Sequence, residues 1–370
     1  MRILALNWQD RTNPQAGGAE VHLEQLLRRL VGMGHEVTLF CSSYAGAAPV
    51  ETIDGITIIR KGNRYNFNLI APFTLRKLVR EGKFDVLVED INKIPFYTPL
   101  YLNLPTLVVV PHLFSTSVFK EINFALGMYI YLCELPLVRL YRGRKFNVIS
   151  ESTRDDIAER GVPTEDISVI HCGIDGEIYN YDEQIKKYER PTVLYLGRIK
   201  KYKSIDHLVV AFKQVLSDFP EACLKIVGTG DYVAPLKTLA EQLKIADRVD
   251  FPGYVDQATK VEILRRSHVA VYPSLKEGWG LTNIEANACG TAVIAANSPG
   301  LRDSVVDGTT GFLYEYGNIG QLAERLQSIL RDDTSRGRLE QGGLEWVKKF
   351  NWDDAAGEFV SVLESIINKK

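Results

Sequence analysis

A chain of 370 residues, 45% hydrophobic and 24% charged, has an ordinary globular composition and enough length for about two domains with large cores. Its net charge of −2 argues against a dedicated nucleic-acid binder, so no nucleic-acid partner is expected. Five scattered cysteines with no C-x-x-C pair suit free thiols in a reducing compartment and argue against a zinc site.

The chain opens on a strand pattern at 3–7, which leaves no room for a signal peptide and points to a cytoplasmic protein. Strand runs then alternate with helical patterns, which predicts parallel sheets covered by helices, an α/β fold. The first-half strands read as 3–7, 37–40, 86–88, 106–110 and 146–150, with helices at 19–33, 69–80 and 152–160. A short pair of alternating strands falls in 52–60. After the first strand comes a long loop ending in Gly17 and Gly18. It is not the G-x-G-x-x-G fingerprint, so a dinucleotide site is not expected there. His112 follows the strand 106–110 and should stand at its carboxyl end. The most apolar run, 122–135, is interrupted by Glu134, followed by Pro136, and too short to span a bilayer.

A last strand at 168–170 and a polar linker at 182–190 separate this half from a second α/β run. Its strands read as 192–196, 224–227, 249–251, 269–272, 292–295 and 312–314, with final helices at 321–331, 336–349 and 353–368. Gly197 and Arg198 follow the first of these strands, and Lys203 lies five residues on, before the helix at Ser204. A planar fork of donors and a compact point charge together suit phosphate. Gly228 and Gly230 form a second strand-end loop; Gly253, Tyr254 and Val255 form a third. The strand 269–272 leads into a loop of Glu277, Gly278, Trp279 and Gly280, and a helix follows with Leu281, Ile284 and Ala288 on its apolar face. That places Gly280, Leu281 and Thr282 at a helix amino end, where free amides attract anions. Glu285 lies about one turn into the helix.

The spacing Glu277-x7-Glu285 around Gly-Trp-Gly, continued by Pro299-Gly300, Asp307-Gly308 and Gly311-Phe312, resembles the signature of the retaining GT-B glycosyltransferases of family 4, also called group 1. The resemblance implies two Rossmann-like domains facing across a cleft, 1–173 with 352–370 for the acceptor and 174–351 for the donor. The C-terminal helix would pack back on the first domain. It also implies hexosyl transfer from a nucleoside-diphosphate sugar to an acceptor hydroxyl of a glycan, glycolipid or small molecule, with retained anomeric configuration.

By the same resemblance His112 touches the donor sugar, Arg198 and Lys203 hold the diphosphate, and Gly280, Leu281 and Thr282 receive the distal phosphate. Glu277, beside Gly278 and Trp279, takes sugar hydroxyls and Glu285 the ribose. Gly197, Gly228, Gly230, Tyr254 and Val255 line the nucleoside pocket, and Gly17 and Gly18 lie near the donor phosphates and acceptor. Ser204 stands where the family usually has glycine, and serine is a good helix N-cap. No Asp-x-Asp occurs, so neither a metal nor another cofactor is expected.

Two other readings share this architecture: a nucleotide-sugar epimerase, or a catalytically silent binding subunit. An epimerase would release nucleotide without any acceptor, and intact Arg198, Lys203, Glu277 and Glu285 argue against a silent subunit. The partners expected are a nucleotide sugar and a sugar or lipid-linked acceptor. The stretch 69–80 combines an apolar face with Arg76, Lys77 and Arg80, Lys83 follows it, Arg60, Lys61 and Arg64 lie just upstream beside Tyr65 and Phe67, and 119–141 is rich in Phe, Tyr and Leu. Such a surface suits peripheral contact with an anionic membrane at its cytoplasmic face.

Overall fold

The computed structural model describes residues 1–114, 118–121 and 123–368. The chain divides into two compact units, Met1–Gly173 with Trp352–Lys370, and Ile174–Asn351.

Unit 1 runs β1 (Arg2–Leu6), α1 (Gly18–Gly32), β2 (Glu36–Cys41), β3 (Val50–Ile53), β4 (Ile56–Arg60), α2 (Phe67–Gly82), β5 (Val86–Asp90) and β6 (Thr106–Val110). It continues through α3 (Val118–Glu121), α4 (Phe124–Glu134), α5 (Leu137–Leu140), β7 (Lys145–Val148), α6 (Glu151–Glu159) and β8 (Ile167–Val169). The eight strands form one sheet in the order β3-β4-β2-β1-β5-β6-β7-β8, parallel except for the β3–β4 hairpin. β5 and β6 are buried along their whole length, as strands covered on both faces must be; β6 reads as a nearly continuous apolar run, whereas β5 ends on two buried carboxylates, Glu89 and Asp90.

Unit 2 runs β9 (Thr192–Leu196), α7 (Ile205–Val215), β10 (Cys223–Val227), α8 (Val233–Gln242), β11 (Val249–Gly253), α9 (Gln257–Arg266), β12 (Val269–Tyr272) and α10 (Leu281–Ala288). Then follow β13 (Ala292–Ala296), β14 (Gly311–Tyr314), α11 (Ile319–Arg331) and α12 (Asp333–Val347). Its six strands order as β11-β10-β9-β12-β13-β14, parallel throughout. The last helix, α13 (Trp352–Ile367), belongs to unit 1 and packs on α1. Arg29 pairs there with Asp353 at 2.5 Å, and Trp352 lies 5.9 Å from the His22 ring. Burial brings the His22 pKa down to about 4, which leaves a neutral imidazole against the indole.

In both sheets the strand order reverses beside the first strand of the unit. The reversal falls between β1 and β5 in unit 1 and between β9 and β12 in unit 2. Loops diverge at such a point and leave a crevice beyond the carboxyl ends of the strands, where open α/β sheets bind ligands.

Two local features go beyond the sequence pattern. The segment 119–141 is mostly helical, shared by the end of α3, α4 and α5, while Ile122 at the start of the apolar run lies outside the described residues. And α10 has no polar outer face. From Asn283 to Ala288 it is buried, because α12 covers it, and the Asn283 and Asn287 amides donate to Ser304 Oγ at 2.8 Å and to the Thr310 carbonyl at 3.0 Å. Those bonds offset the cost of burying amides that an amphipathic pattern would place in water. No helix among the described residues is long and apolar enough to cross a membrane.

Candidate active site

The loops after β9 and β12 meet at the switch point of unit 2. The amide of Leu275 donates to the Tyr202 carbonyl at 3.2 Å, stitching them together. Lys203 and Glu277 form a direct ion pair across this junction, each largely shielded from solvent. Burial works against the Lys203 charge, but the Glu277 carboxylate outweighs it and the ammonium pKa is raised. Arg198 stands exposed on the same rim, its carbonyl fixed by the Tyr195 hydroxyl at 2.9 Å and its guanidinium 3.4 Å from the Tyr202 hydroxyl. The amide of Glu277 donates to the Pro299 carbonyl at 3.0 Å. Gly300 explains itself here. Its φ is +81°, and a Cβ would sit 2.2 Å from the Glu277 carbonyl oxygen, so only glycine lets the two loops close on one another.

Glu285, one turn into α10, has a different lysine. Lys260 on α9 reaches its carboxylate at 2.8 and 2.9 Å and also bonds the Tyr179 hydroxyl at 2.7 Å. The sequence motif contains neither Lys260 nor Tyr179. Lys260 is one of several charged residues on α9 and sits at no motif spacing that would have found it.

The amino end of α10 has no side-chain cap, which leaves room for an anion. Of the three amides expected to receive a phosphate, however, that of Leu281 is already engaged with the Trp279 carbonyl at 2.9 Å. The Trp279 ring is 6% exposed and packs edge-on against Phe350 at 5.3 Å, so it is an internal wall rather than a face presented to a sugar. Gly278 is partly exposed and Gly280 buried beside it.

The glycine loops of the nucleoside side are joined through their backbones. The amide of Gly197 donates to the Val227 carbonyl at 3.0 Å, and that of Gly228 to the Gly253 carbonyl at 2.8 Å. A Cβ at Gly228, with φ +134°, would lie 1.9 Å from the Gly197 carbonyl oxygen. A Cβ at Gly230 would meet the Ile199 carbonyl equally closely. Close approach of two strand-end loops therefore accounts for these glycines before any ligand is considered. Tyr254 is 82% exposed and Val255 partly so.

The Ser204 expectation is overturned. Ser204 has φ +51° and ψ +37°, the left-handed region, and makes no capping bond to α7; its hydroxyl meets that of Tyr316 at 3.0 Å. The position suits glycine because of its backbone, and serine occupies it under strain.

In unit 1 the Gly17 amide donates to the Glu20 carboxylate at 2.7 Å, and Gly18 begins α1. The other oxygen of Glu20 accepts from the Asn92 amide at 3.1 Å, which ties the Gly17–Gly18 loop to the loop after β5. Glu20 at the third position of a helix opened by glycine is a capping pattern that could have been read from sequence. His112 lies just beyond β6, partly exposed, its ring edge-on to Phe114 at 5.1 Å.

Two family models share the chain between them. Glycosyl transferases group 1 matches residues 179–346, and Glycosyltransferase Family 4 matches residues 16–177. A phosphatidyl-myo-inositol mannosyltransferase of Mycolicibacterium smegmatis is 28% identical over 95% of this chain and 90% of its own. A GDP-mannose-dependent alpha-(1-6)-phosphatidylinositol monomannoside mannosyltransferase of Mycobacterium tuberculosis is 25% identical over 95% of each chain. Among solved structures, sucrose-phosphate synthase from Thermosynechococcus elongatus superposes with a TM-score of 0.84 at 22% identity, over 100% of both chains. With both units matched and the fold shared along its whole length, the chain belongs to the group 1, family 4 glycosyltransferases and has their GT-B fold.

Proposed function

We propose that the protein moves a hexosyl group from a nucleoside-diphosphate sugar to an acceptor hydroxyl, with retention of configuration and without a metal ion. The observation that carries this reading is the pairing at the switch point of unit 2. Arg198, the Lys203–Glu277 pair and the uncapped end of α10 gather there, with Glu285 held by Lys260. Two cations and a helix amino end can neutralise a leaving diphosphate without a divalent ion. As the diphosphate engages Lys203, the Glu277 carboxylate is freed to accept hydrogen bonds from sugar hydroxyls. The leaving phosphate itself takes the acceptor proton, so no side chain is needed as general base.

Two relatives are named for phosphatidylinositol-based substrates, which favours a lipid-linked acceptor here and peripheral contact with a membrane. Donor use is tested by a thermal-shift screen of nucleotides and nucleotide sugars, since a ligand of the folded state raises apparent stability with its concentration over Kd. One nucleotide family should stand out. No shift with any nucleotide sugar would end the transferase reading. Turnover that persists in EDTA, with an α-linked donor giving an α-linked product by NMR, checks the metal and the stereochemistry. Loss of turnover restored by magnesium, or an inverted product, would overturn each in turn.

A further inference from the structure

The layer between α1 and the sheet of unit 1 is closed at one end and hollow further along. Gly55, in the β3–β4 turn, lies so near α1 that a Cβ there would sit 2.5 Å from the Val31 Cγ1. Toward the start of the helix the two surfaces part and enclose a cavity of about 260 Å³. Leu23 and Leu27 of α1, Leu39 of β2, and Ile56 and Ile58 of β4 wall it, all of them buried. Protein interiors hold few voids larger than a water molecule, so a hollow of this size inside a core layer is exceptional. An apolar cavity of about 150 Å³ takes benzene, which gives this one room for an aliphatic body of about eight carbons.

Two residues that line the cavity carry polar atoms left unmatched. Asn7 is 1% exposed, and its side-chain carbonyl accepts from the Trp8 amide at 2.6 Å. Its NH2 group is therefore the end left over, and that nitrogen has no hydrogen-bond partner among the described residues. Gln9 is 4% exposed and its side-chain oxygen is likewise unmatched. Buried polar groups in native folds have partners, so these atoms call for water or a ligand. A donor and an acceptor just past β1 suit a hydroxyl, which accepts from the one and donates to the other.

The rest of the polar lining sets the charge of an occupant. Asp10, Glu20, Glu24 and Asp54 line the cavity with Arg11 as their one cation, and Arg11 is committed to Glu24 at 2.7 Å. A carboxylate head would be repelled. A cationic head would gain little, because Asp10 is already paired with Arg60 and Glu20 already accepts from Gly17 and Asn92. An uncharged head remains.

We infer that the hollow beneath α1 is a binding site for an uncharged medium-chain alcohol. Its hydroxyl lies between Asn7 and Gln9, and its chain lies among the leucines and isoleucines. The site acts on the loop after β1. Gln9 also lines a second cavity with Trp8 and Lys93, residues that follow β1 and β5 at the switch point, and Glu20 holds the Gly17 amide at 2.7 Å. An occupant therefore braces residues 9–17 from inside the core. The site does not depend on the transferase reading.

The test titrates the full chain with 1-octanol, and with octanoate as the charged control, followed by calorimetry and by NMR of isoleucine δ1 methyls. Octanol should move the signals of Ile53, Ile56 and Ile58 and leave Ile226 and Ile294 of unit 2 in place. Octanoate should bind at least about tenfold more weakly, for want of a contact its charge forbids. Leu27→Phe fills the hollow and should abolish binding, with an unfolding midpoint equal to or above the parent's. Gln9→Met keeps the side chain's length and removes the unmatched oxygen. It should weaken octanol binding about tenfold without loss of stability, and it serves as the test should Leu27→Phe not fold. Hydrogen exchange over 9–17 should slow when octanol is bound.

Octanol that moves other isoleucines instead, binds Leu27→Phe or Gln9→Met as well as the parent, or binds no better than octanoate would overturn the site. So would no binding at all, the result expected of a hollow that holds only water. Exchange over 9–17 that is unchanged beside tight binding would overturn the bracing of the loop.

Discussion

The two units repeat one device, a crevice where a parallel sheet reverses its strand order, and furnish it differently. In unit 2 the loops are short, glycine-rich and stitched backbone to backbone, and their charges come as lysine–carboxylate pairs facing the crevice. In unit 1 the loop after β1 is long and is held from behind by a buried ionic network. Arg60 pairs there with Asp10 at 2.6 Å and with Glu51, and donates to the Thr12 hydroxyl at 3.1 Å. One crevice is shaped by what the backbone can approach, the other by side chains that brace a loop. A mutation in the first should therefore act on ligand, and in the second on the fold.

The largest expected effect tests that division. Asp10→Asn leaves the Arg60 guanidinium buried with half its charge partners gone, which should destabilise the protein by about 3–5 kcal/mol. Burial pushes the Asp10 carboxyl up, but the Arg60 and Thr12 contacts outweigh it and the pKa lies below the ordinary 3.8. A carboxyl depressed in the folded state contributes stability above its unfolded pKa and loses it as pH falls through the folded one. The gap between parent and variant in chemical denaturation should thus be constant above about pH 5 and close below about pH 4. A gap under about 1 kcal/mol at neutral pH would mean the network is ornamental and the two crevices are braced alike.

Next come the unit 2 cations. Lys203→Met and Arg198→Ala should each weaken donor binding by about one to two decades, with Lys203 the worse because Glu277 is left without its partner. Their unfolding midpoints should move little compared with Asp10→Asn. Unchanged nucleotide-sugar affinity in both variants would remove them from the site. A smaller effect belongs to Lys260→Met, which frees Glu285 from its anchor. Nucleoside diphosphate binding should fall by roughly tenfold, while the 2′-deoxy analogue loses less. Equal losses for both would show that Glu285 does not meet the ribose.

How much of this was readable follows the same contrast. The strands β1, β6, β9 and β12 are continuous apolar runs, and the glycine loops of unit 2 carry a fixed spacing, because tight backbone contacts restrict both residue type and distance. Sequence reading therefore reached Glu277, Glu285, Arg198 and Lys203. It missed Lys260, since a lysine on a helix says nothing of a carboxylate 25 residues away that it will meet at 2.9 Å. It also missed the Arg60–Asp10 pair, whose partners lie 50 residues apart and look like surface charges. Nothing local announces that α12 will cover α10 and bury Asn283 and Asn287. Glu20 was recoverable, as a capping residue, but its link to Asn92 across β5 was not.

Ser204 gives the finest test of the view that backbone shape governs unit 2. A serine capping α7 would tolerate threonine, which also caps helices, and would lose a little stability on change to glycine. A serine held at φ +51° should behave otherwise. Left-handed backbone costs a residue with a Cβ about 1–2 kcal/mol, and glycine's greater freedom in the unfolded chain returns about 0.5–1 kcal/mol of that. Ser204→Gly should therefore be neutral to about 0.5 kcal/mol more stable, with the loss of the Tyr316 contact holding it at the lower end. Ser204→Thr places a branched Cβ in the same conformation and should be about 1 kcal/mol less stable. Thermal unfolding of the three proteins under one buffer decides the matter: glycine above threonine, with serine between or level with glycine, supports the strained turn. Threonine equal to serine, with glycine below both, would restore the capping role and leave the loop after β9 shaped by a side chain after all.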